Sequence, residues 1–248
     1  MQVTNTGHEE LDHLIFHLYP NAGLGEMEEP WLTVSRISLN GNDLRGNSRA
    51  RHSGVRVDLP AKLAPGRNLE LKLEFSARLP RVQREEASLL AHFLQEVNDA
   101  VNEEKPARDA RDIFFAGEEA ILLSYFHPIL AVKPSQLSES SLVAGVGGIV
   151  FSEAADYEVK ITTDPGLTIL ASSAETKSDV ASASQQTRIF QGEKLRGFGL
   201  VIAERMKSVE QRSGQTRVVS YFREGDDRLG KRALTMKHLE AALEHGAG

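Results

Sequence analysis

The stretch Leu14-Ile15-Phe16-His17-Leu18-Tyr19-Pro20-Asn21 decides the fold. Leu14, Phe16 and Leu18 alternate with Ile15, His17 and Tyr19, which is the two-residue period of a β-strand. Both faces carry bulk, so the strand is expected to be interior and covered on at least one side. Pro20 has no N–H to give to a ladder and marks its end. His13 and His17 stand four apart, the gap that two zinc-binding histidines use on a helix. On a strand that gap spans about 13 Å. One ion at about 2 Å from each nitrogen cannot hold both without a sharp bend of the backbone. Leu14 also stands where a metallopeptidase motif needs its glutamate base. The two histidines are therefore read as residents of a partly covered strand face.

Working outward, the chain on either side of this stretch is also strand-like. Gln2 to Asn5 reads as a short strand. His8 to His13, HEELDH, puts its two histidines roughly 140° apart on a helix and is read as a solvated connection. Thr33 to Leu39 alternates and is followed by Asn40-Gly41, a turn dipeptide in which both residues tolerate positive φ. Leu44 begins the return. Gly46 to Gly54 carries Arg45, Arg49, Arg51 and His52 in or beside it and is expected to be a polar loop tip rather than an anion site. Gly54 to Leu59 is a strand expected to stop at Pro60. Pro65-Gly66 turns the chain, and Leu69 to Ser76 gives the cleanest alternation, one dry face and one wet, as in an antiparallel sheet.

Arg81 to Glu119 changes character. It holds five basic and ten acidic residues, and Leu90, Leu94, Val97 and Val101 fall at helical spacing. A helix is expected from about Glu85 to Asn102, inserted into a β-domain with its charged face in water. Ala120 to Val132 is the second long apolar stretch. Tyr125 and His127 are its only titratable groups, and they are the candidate cleft or interdomain-contact residues. A buried pair with satisfied hydrogen bonds is the plainer expectation.

Gly145-Val146-Gly147-Gly148 lacks the third glycine of a dinucleotide fingerprint and the Lys-Ser/Thr of a P-loop, and Gly197-Phe198-Gly199 fails alike. The first is read as a turn or mobile loop. Asp156 to Thr162 and Leu167 to Ala171 read as a hairpin about Asp164-Pro165-Gly166. Glu175 to Gln186, rich in Ser, Ala and Gln, reads as a loose hairpin tip. Thr187 to Gln191, Gly197 to Ala203, Lys207 to Gln211 and Gln215 to Phe222 continue the strands. Asp227 can cap a closing helix striped by Leu229, Ala233, Met236 and Leu243.

Composition bounds the function. The 248 residues allow one large domain or two small ones, and the net charge of −6 leaves no basic footprint for nucleic acid. No apolar run approaches the ~20 residues that span a bilayer, so no membrane span is expected. The first residues carry no basic-then-apolar signal segment, and the compartment stays open. With no cysteine, disulfides, thiolate zinc sites and cysteine nucleophiles are excluded. No Gly-x-Ser-x-Gly elbow offers a serine nucleophile.

Four pieces together carry a family resemblance. Leu11 to Asn21, LDHLIFHLYPN, resembles an early strand of aminopeptidase N-like zinc metallopeptidases of the gluzincin type. Tyr125 to Val132, YFHPILAV, resembles a later segment of the same domain. Ala155 to Ser172, ADYEVKITTDPGLTILAS, is similar to its next hairpin. Phe198 to Val201 and Thr216 to Gly225 resemble the crossing into the catalytic domain, and Ala233 to Gly246 that domain's first helix. The order is the family's order. The departures are equally definite. The His-Glu-x-x-His zinc motif and the Gly-x-Met-Glu-Asn substrate loop occur nowhere in the sequence, and Arg81 to Glu119 has no counterpart.

The resemblance therefore implies a mainly β chain, an antiparallel saddle- or sandwich-like domain with an inserted helix and a C-terminal helix. Residues 1–203 would form the N-terminal β-domain, with its insertion at about 81–119. Residues 204–248 would be crossover strands and the first helix of a truncated catalytic domain. It lends this chain no catalytic residue, no metal ligand and no cofactor. The expected role is non-catalytic: to shape a peptide cleft and dock a zinc catalytic domain of the same or a neighbouring polypeptide. The alternative is a free-standing β-sandwich that binds a protein or peptide, or a second copy of itself.

Overall fold

A computed structural model describes residues 1–22, 24, 28–44, 48–51, 53–82, 114–131, 152–182, 184–213, 216–225 and 227. The described residues are mainly β, with antiparallel pairing in every sheet. The expected helices at about Glu85 to Asn102 and after Asp227, and the glycine run at Gly145, lie outside the described residues.

The first half builds two four-stranded sheets. One has the order β1-β7-β3-β4, from Gln2–Thr4, Asn68–Ala77, Leu32–Leu39 and Asn42–Asp43. The other has the order β10-β2-β6-β5, from Ile129–Leu130, Leu11–His17, Gly54–Leu63 and Ser48–Arg51. Val3, Leu32, Ile37, Leu69 and Leu71 of the first sheet share one core with Leu14, Phe16, Val55, Val57 and Leu63 of the second. This is a sandwich. The opening stretch lies where its pattern puts it: β2 is interior, between β10 and β6. Leu14, Phe16 and Leu18 enter the core, while Ile15 and His17 are buried on the other side of the strand. Burying a phenylalanine such as Phe16 contributes about 2–3 kcal/mol relative to leaving it in water.

Two buried asparagines hold the loops of this sandwich. Asn21, just after the strand, donates from Nδ2 to the Leu32 carbonyl at 2.8 Å and accepts the Leu32 N–H at 2.8 Å. Its side chain thus completes the end of β3 as a neighbouring strand would. Asn5 donates to the carbonyls of Leu63 and Glu9, both at 2.8 Å, and accepts the Gly7 N–H at 3.0 Å. These bonds remove the cost of unpaired backbone groups at buried loop ends.

The second half repeats the plan on a smaller scale. β11 (Ala155–Thr163), β14 (Gln185–Leu195) and β13 (Ala174–Ser182) form one sheet in the order β11-β14-β13. β12 (Thr168–Ala171), β15 (Gly199–Ala203), β9 (Ala120–Ser124) and β8 (Phe114–Ala116) form the facing sheet. Ile169, Phe190, Phe198 and Leu200 are its buried centre, with Tyr157, Val159, Ile161 and Leu123 packed against them. A separate two-stranded ribbon follows, β16 (Met206–Ser213) with β17 (Thr216–Arg223).

Several expectations need correction. Pro60 does not end its strand: β6 runs on to Leu63. His13 pairs with Asp58 and Leu11 with Leu63, so β6 carries extra residues there, and Pro60 sits in that bulge, where no ladder donor is required. Ser48–Arg51, read as loop, is strand β5, which pairs with β6 at the end of the strand order. Glu175 to Gln186 is the expected hairpin but not a loose one, because β13 and β14 pair along it as far as Ser182 and Gln185. The strands around Asp164-Pro165-Gly166 do not pair with each other. β11 joins β14 and β12 joins β15, so the turn carries the chain from one sheet to the other. Leu11 to His13, part of the expected connection, already belongs to β2.

Candidate functional site

The strap Tyr125 to Pro128 takes the chain from β9 in the second sandwich to β10 in the first. Tyr125 has φ of 52°, in the left-handed region that side chains rarely enter. That reversal breaks the apolar stretch into two strands where sequence periodicity shows none. It also lays the tyrosine ring across Gly197, where an added Cβ would sit 3.0 Å from Tyr125 Cε1. Any side chain at that position would have to push the ring aside by a few tenths of an ångström.

Rings meet at this strap from both sandwiches. The Tyr125 ring centroid is 5.5 Å from that of Tyr19, which is 5.6 Å from that of His17. The His127 ring is 5.3 Å from Phe126, edge-on, and 5.7 Å from Tyr157 on β11. Tyr157 in turn lies 5.7 Å from Phe198 in the second core. The opening stretch and the second apolar stretch, about a hundred residues apart in the chain, thus form one aromatic joint. The backbone reinforces it, since Ile129 pairs with His17 and Leu130 with Phe16.

The electrostatics of the joint follow from burial. His127 Nδ1 donates to the Pro128 carbonyl at 3.1 Å, while its Nε2 is buried with no hydrogen-bond partner among the described residues. Burial lowers its pKa, and the Pro128 bond opposes this in part. His17 is lowered by burial alone. Tyr19 is pushed from 10.0 to about 12, by burial first and by Tyr125 second. Tyr157 is raised by the same two causes. A tyrosine that stays protonated in the folded chain contributes stability that is complete below its ordinary pKa and is lost as pH climbs toward 12. The neutral histidines work in the opposite sense, with stability lost as pH falls below their ordinary value.

Tyr125 and His127, the two candidates from sequence, thus occupy one strap at the joint of the two sandwiches. The expectation of satisfied hydrogen bonds holds for only one nitrogen of His127. Sequence reasoning missed Tyr19, Tyr157 and Phe198 as their neighbours. One signal was within reach: a glycine, Gly197, beside an aromatic residue marks a place where a ring can lie flat on backbone. His13 and His17 do not converge. His13 bonds the neighbouring Asp12 carboxylate in the open, while His17 is buried against Tyr19. The glycines of Gly197-Phe198-Gly199 serve packing: Gly199 N–H is accepted by Ser172 Oγ at 2.9 Å. Among the described residues no cluster of three metal-ligating side chains occurs. No helix among them is long and apolar enough to cross a membrane.

No protein-family model matches the sequence, and no curated protein matches it. Solved structures do. The fold is similar to part of an M1 zinc metallopeptidase. The M1 zinc metallopeptidase of Deinococcus radiodurans matches at a TM-score of 0.50 and 16% identity, over 89% of this chain. A variant of that enzyme bound to a Tyr-Ser-Ala substrate matches at 0.51 and 15% identity over 89% of this chain. This chain spans 41% of the length of each. At such identity the likeness is one of fold alone.

Proposed function

We propose that this chain is the non-catalytic N-terminal β-domain of an aminopeptidase-like metallopeptidase. Its role is to wall one side of a peptide cleft and to dock a zinc catalytic domain. The observation that carries the reading is the fold match, which covers 89% of this chain but 41% of the larger peptidase chain. The sequence supports the non-catalytic part, because the His-Glu-x-x-His motif is absent from it.

The ribbon β16–β17 supports docking. A two-stranded ribbon is marginal in water unless something packs on it. Met206, Val209, Val218 and Val219 are half-buried along it, and Tyr221 is 44% exposed. In this reading residues 1–203 form the wall and residues 204–248 begin the second unit. Tyr125 and His127 hold the wall's two halves in register behind the cleft.

The test is metal analysis and a peptidase assay on the purified chain. The expected result is no stoichiometric zinc and no turnover that a chelator abolishes. Zinc at one equivalent with chelator-sensitive cleavage of a peptide would overturn the reading. A His-Glu-x-x-His reading frame immediately downstream in the DNA, or in a neighbouring gene, is the expected genetic counterpart.

A further inference from the structure

The joint holds a buried histidine, His127, whose second ring nitrogen has no hydrogen-bond partner among the described residues. Nδ1 of His127 must carry the proton, because it donates to the Pro128 carbonyl. Nε2 is then a buried acceptor with no donor facing it among the described residues. Leaving it neutral costs one unmade hydrogen bond. Protonating it in place would bury a positive charge and a donor with no acceptor, a far larger penalty.

The surroundings offer the charge little relief. Around the ring stand the Phe126 edge and the Tyr157 ring, with the Pro128 carbonyl already engaged. The other titratable members of the joint are Tyr125, Tyr19 and His17; burial holds Tyr19 in its neutral form and makes His17 itself disfavour a charge. No carboxylate contributes to the His127 environment among the described residues. The same strap includes Tyr125 in its left-handed conformation, so the segment already sits away from its relaxed geometry.

We propose that protonation of His127 in mild acid releases the Tyr125 to Pro128 strap and loosens the two sandwiches from each other while each stays folded. The proton enters from solvent once the strap lifts, and the imidazolium is then held by water. The weak element is the joint and not a core: among the described residues Tyr19 and Tyr125 make the one ring contact between the sandwiches, while each sandwich has a buried centre of its own. The proposal concerns the joint alone and stands whether or not a catalytic domain docks elsewhere.

The chain has no cysteine, so a pair of introduced cysteines can be labelled uniquely. Glu70→Cys on β7 and Lys160→Cys on β11 place one spin label on an exposed position of each sandwich. The distance distribution is read at about pH 7.5 and about pH 5, on either side of the ordinary histidine range. The expected result is a longer, broader distribution in acid with the far-UV circular dichroism unchanged. His127→Phe, which keeps a ring in place, should abolish that shift, and His17→Phe should leave it. An unchanged distance, a shift that survives His127→Phe, or loss of the far-UV signal at the same pH would each overturn the proposal. Should His127→Phe fail to fold, the ring proton of His127 in the labelled parent, followed by NMR, must titrate with the midpoint of the distance change. A different midpoint overturns it as well.

Discussion

The two sandwiches share a plan but not a core. The first is centred on aliphatic side chains from both sheets, with Phe16 among them, and its loop ends are tied by the side chains of Asn5 and Asn21. The second is centred on Phe190, Phe198, Ile169 and Leu200, and much of what packs against them is half-buried. The lesson is that a branched aliphatic core closes itself, whereas a ring-based one leaves edges that need covering. Here those edges are covered by the strap at the joint. The first sandwich should therefore set the stability of the whole chain, and the second, with its smaller buried centre, should be the less stable of the two.

The hardest way to break that comparison is to hollow out the first core. Phe16 is fully buried among Leu14, Val55 and Val57. Phe16→Ala should cost about 3–5 kcal/mol, because the cavity is ringed by strands that cannot collapse into it. Phe198→Ala should fall at the lower end of that range, since the Tyr157 ring lies against the vacated side and can move. Urea unfolding of the two variants measures this. Equal losses would mean the second core is as closed as the first.

Asn21→Ala comes next. It deletes two bonds of 2.8 Å and strands the N–H and carbonyl of Leu32 in a buried site. A loss of about 2–4 kcal/mol is expected. Asn21→Asp sharpens the test. It keeps the acceptor but loses the donor, and it buries a carboxylate, so it should be no better than alanine at neutral pH. Thermal melts of both variants check it. A mild effect would show that water replaces the side chain and that the loop is not closed by it.

How much of this could be read beforehand depends on what kind of interaction set each feature. Leu69, Leu71 and Leu73 advertise β7 because its two faces meet different media. Asn40-Gly41 advertises its turn because its φ values of 48° and 85° exclude most residue pairs. Ala174–Ser182 advertises nothing, since small and polar side chains carry no face, and its pairing with β14 is a backbone matter. Pro60 misled because a bulge forgives the missing donor. The partners of β11 and β12 were hidden for another reason. Sheet membership is decided by which core each strand's apolar side enters, and adjacent strands here enter from opposite sides. At the joint, Tyr125 and His127 were visible as lone polar groups in an apolar run. Their partners Tyr19 and Tyr157 were not, because ring contacts at long sequence separation leave no local pattern.

Gly197→Ala probes the joint without touching either candidate residue. A methyl there would press on the Tyr125 ring at 3.0 Å, and that ring also packs against Tyr19, centroid to centroid 5.5 Å. A cost of about 1–3 kcal/mol is expected, the range for overfilling a packed site. Tyr125→Ala in the same background should recover part of it, because the clash disappears with the ring. Additive losses would mean that the two positions do not feel each other.

The smallest expected effect comes from the second sandwich's own polar pair. Thr162 Oγ1 and Thr187 Oγ1 lie 3.0 Å apart on paired strands β11 and β14. Thr187 is buried, but Thr162 is exposed, so water stands ready to take the bond over. Thr187→Val keeps the branched shape that suits a strand and removes only the hydroxyl. Its loss should stay near 1 kcal/mol or below, the net worth of one such hydrogen bond. Set beside Asn21→Ala, it isolates what closure contributes: similar chemistry, one site sealed and one site open. If the two substitutions cost the same in parallel denaturation curves, the difference between the sandwiches is not one of closure, and the strap would no longer be the weak point of the chain.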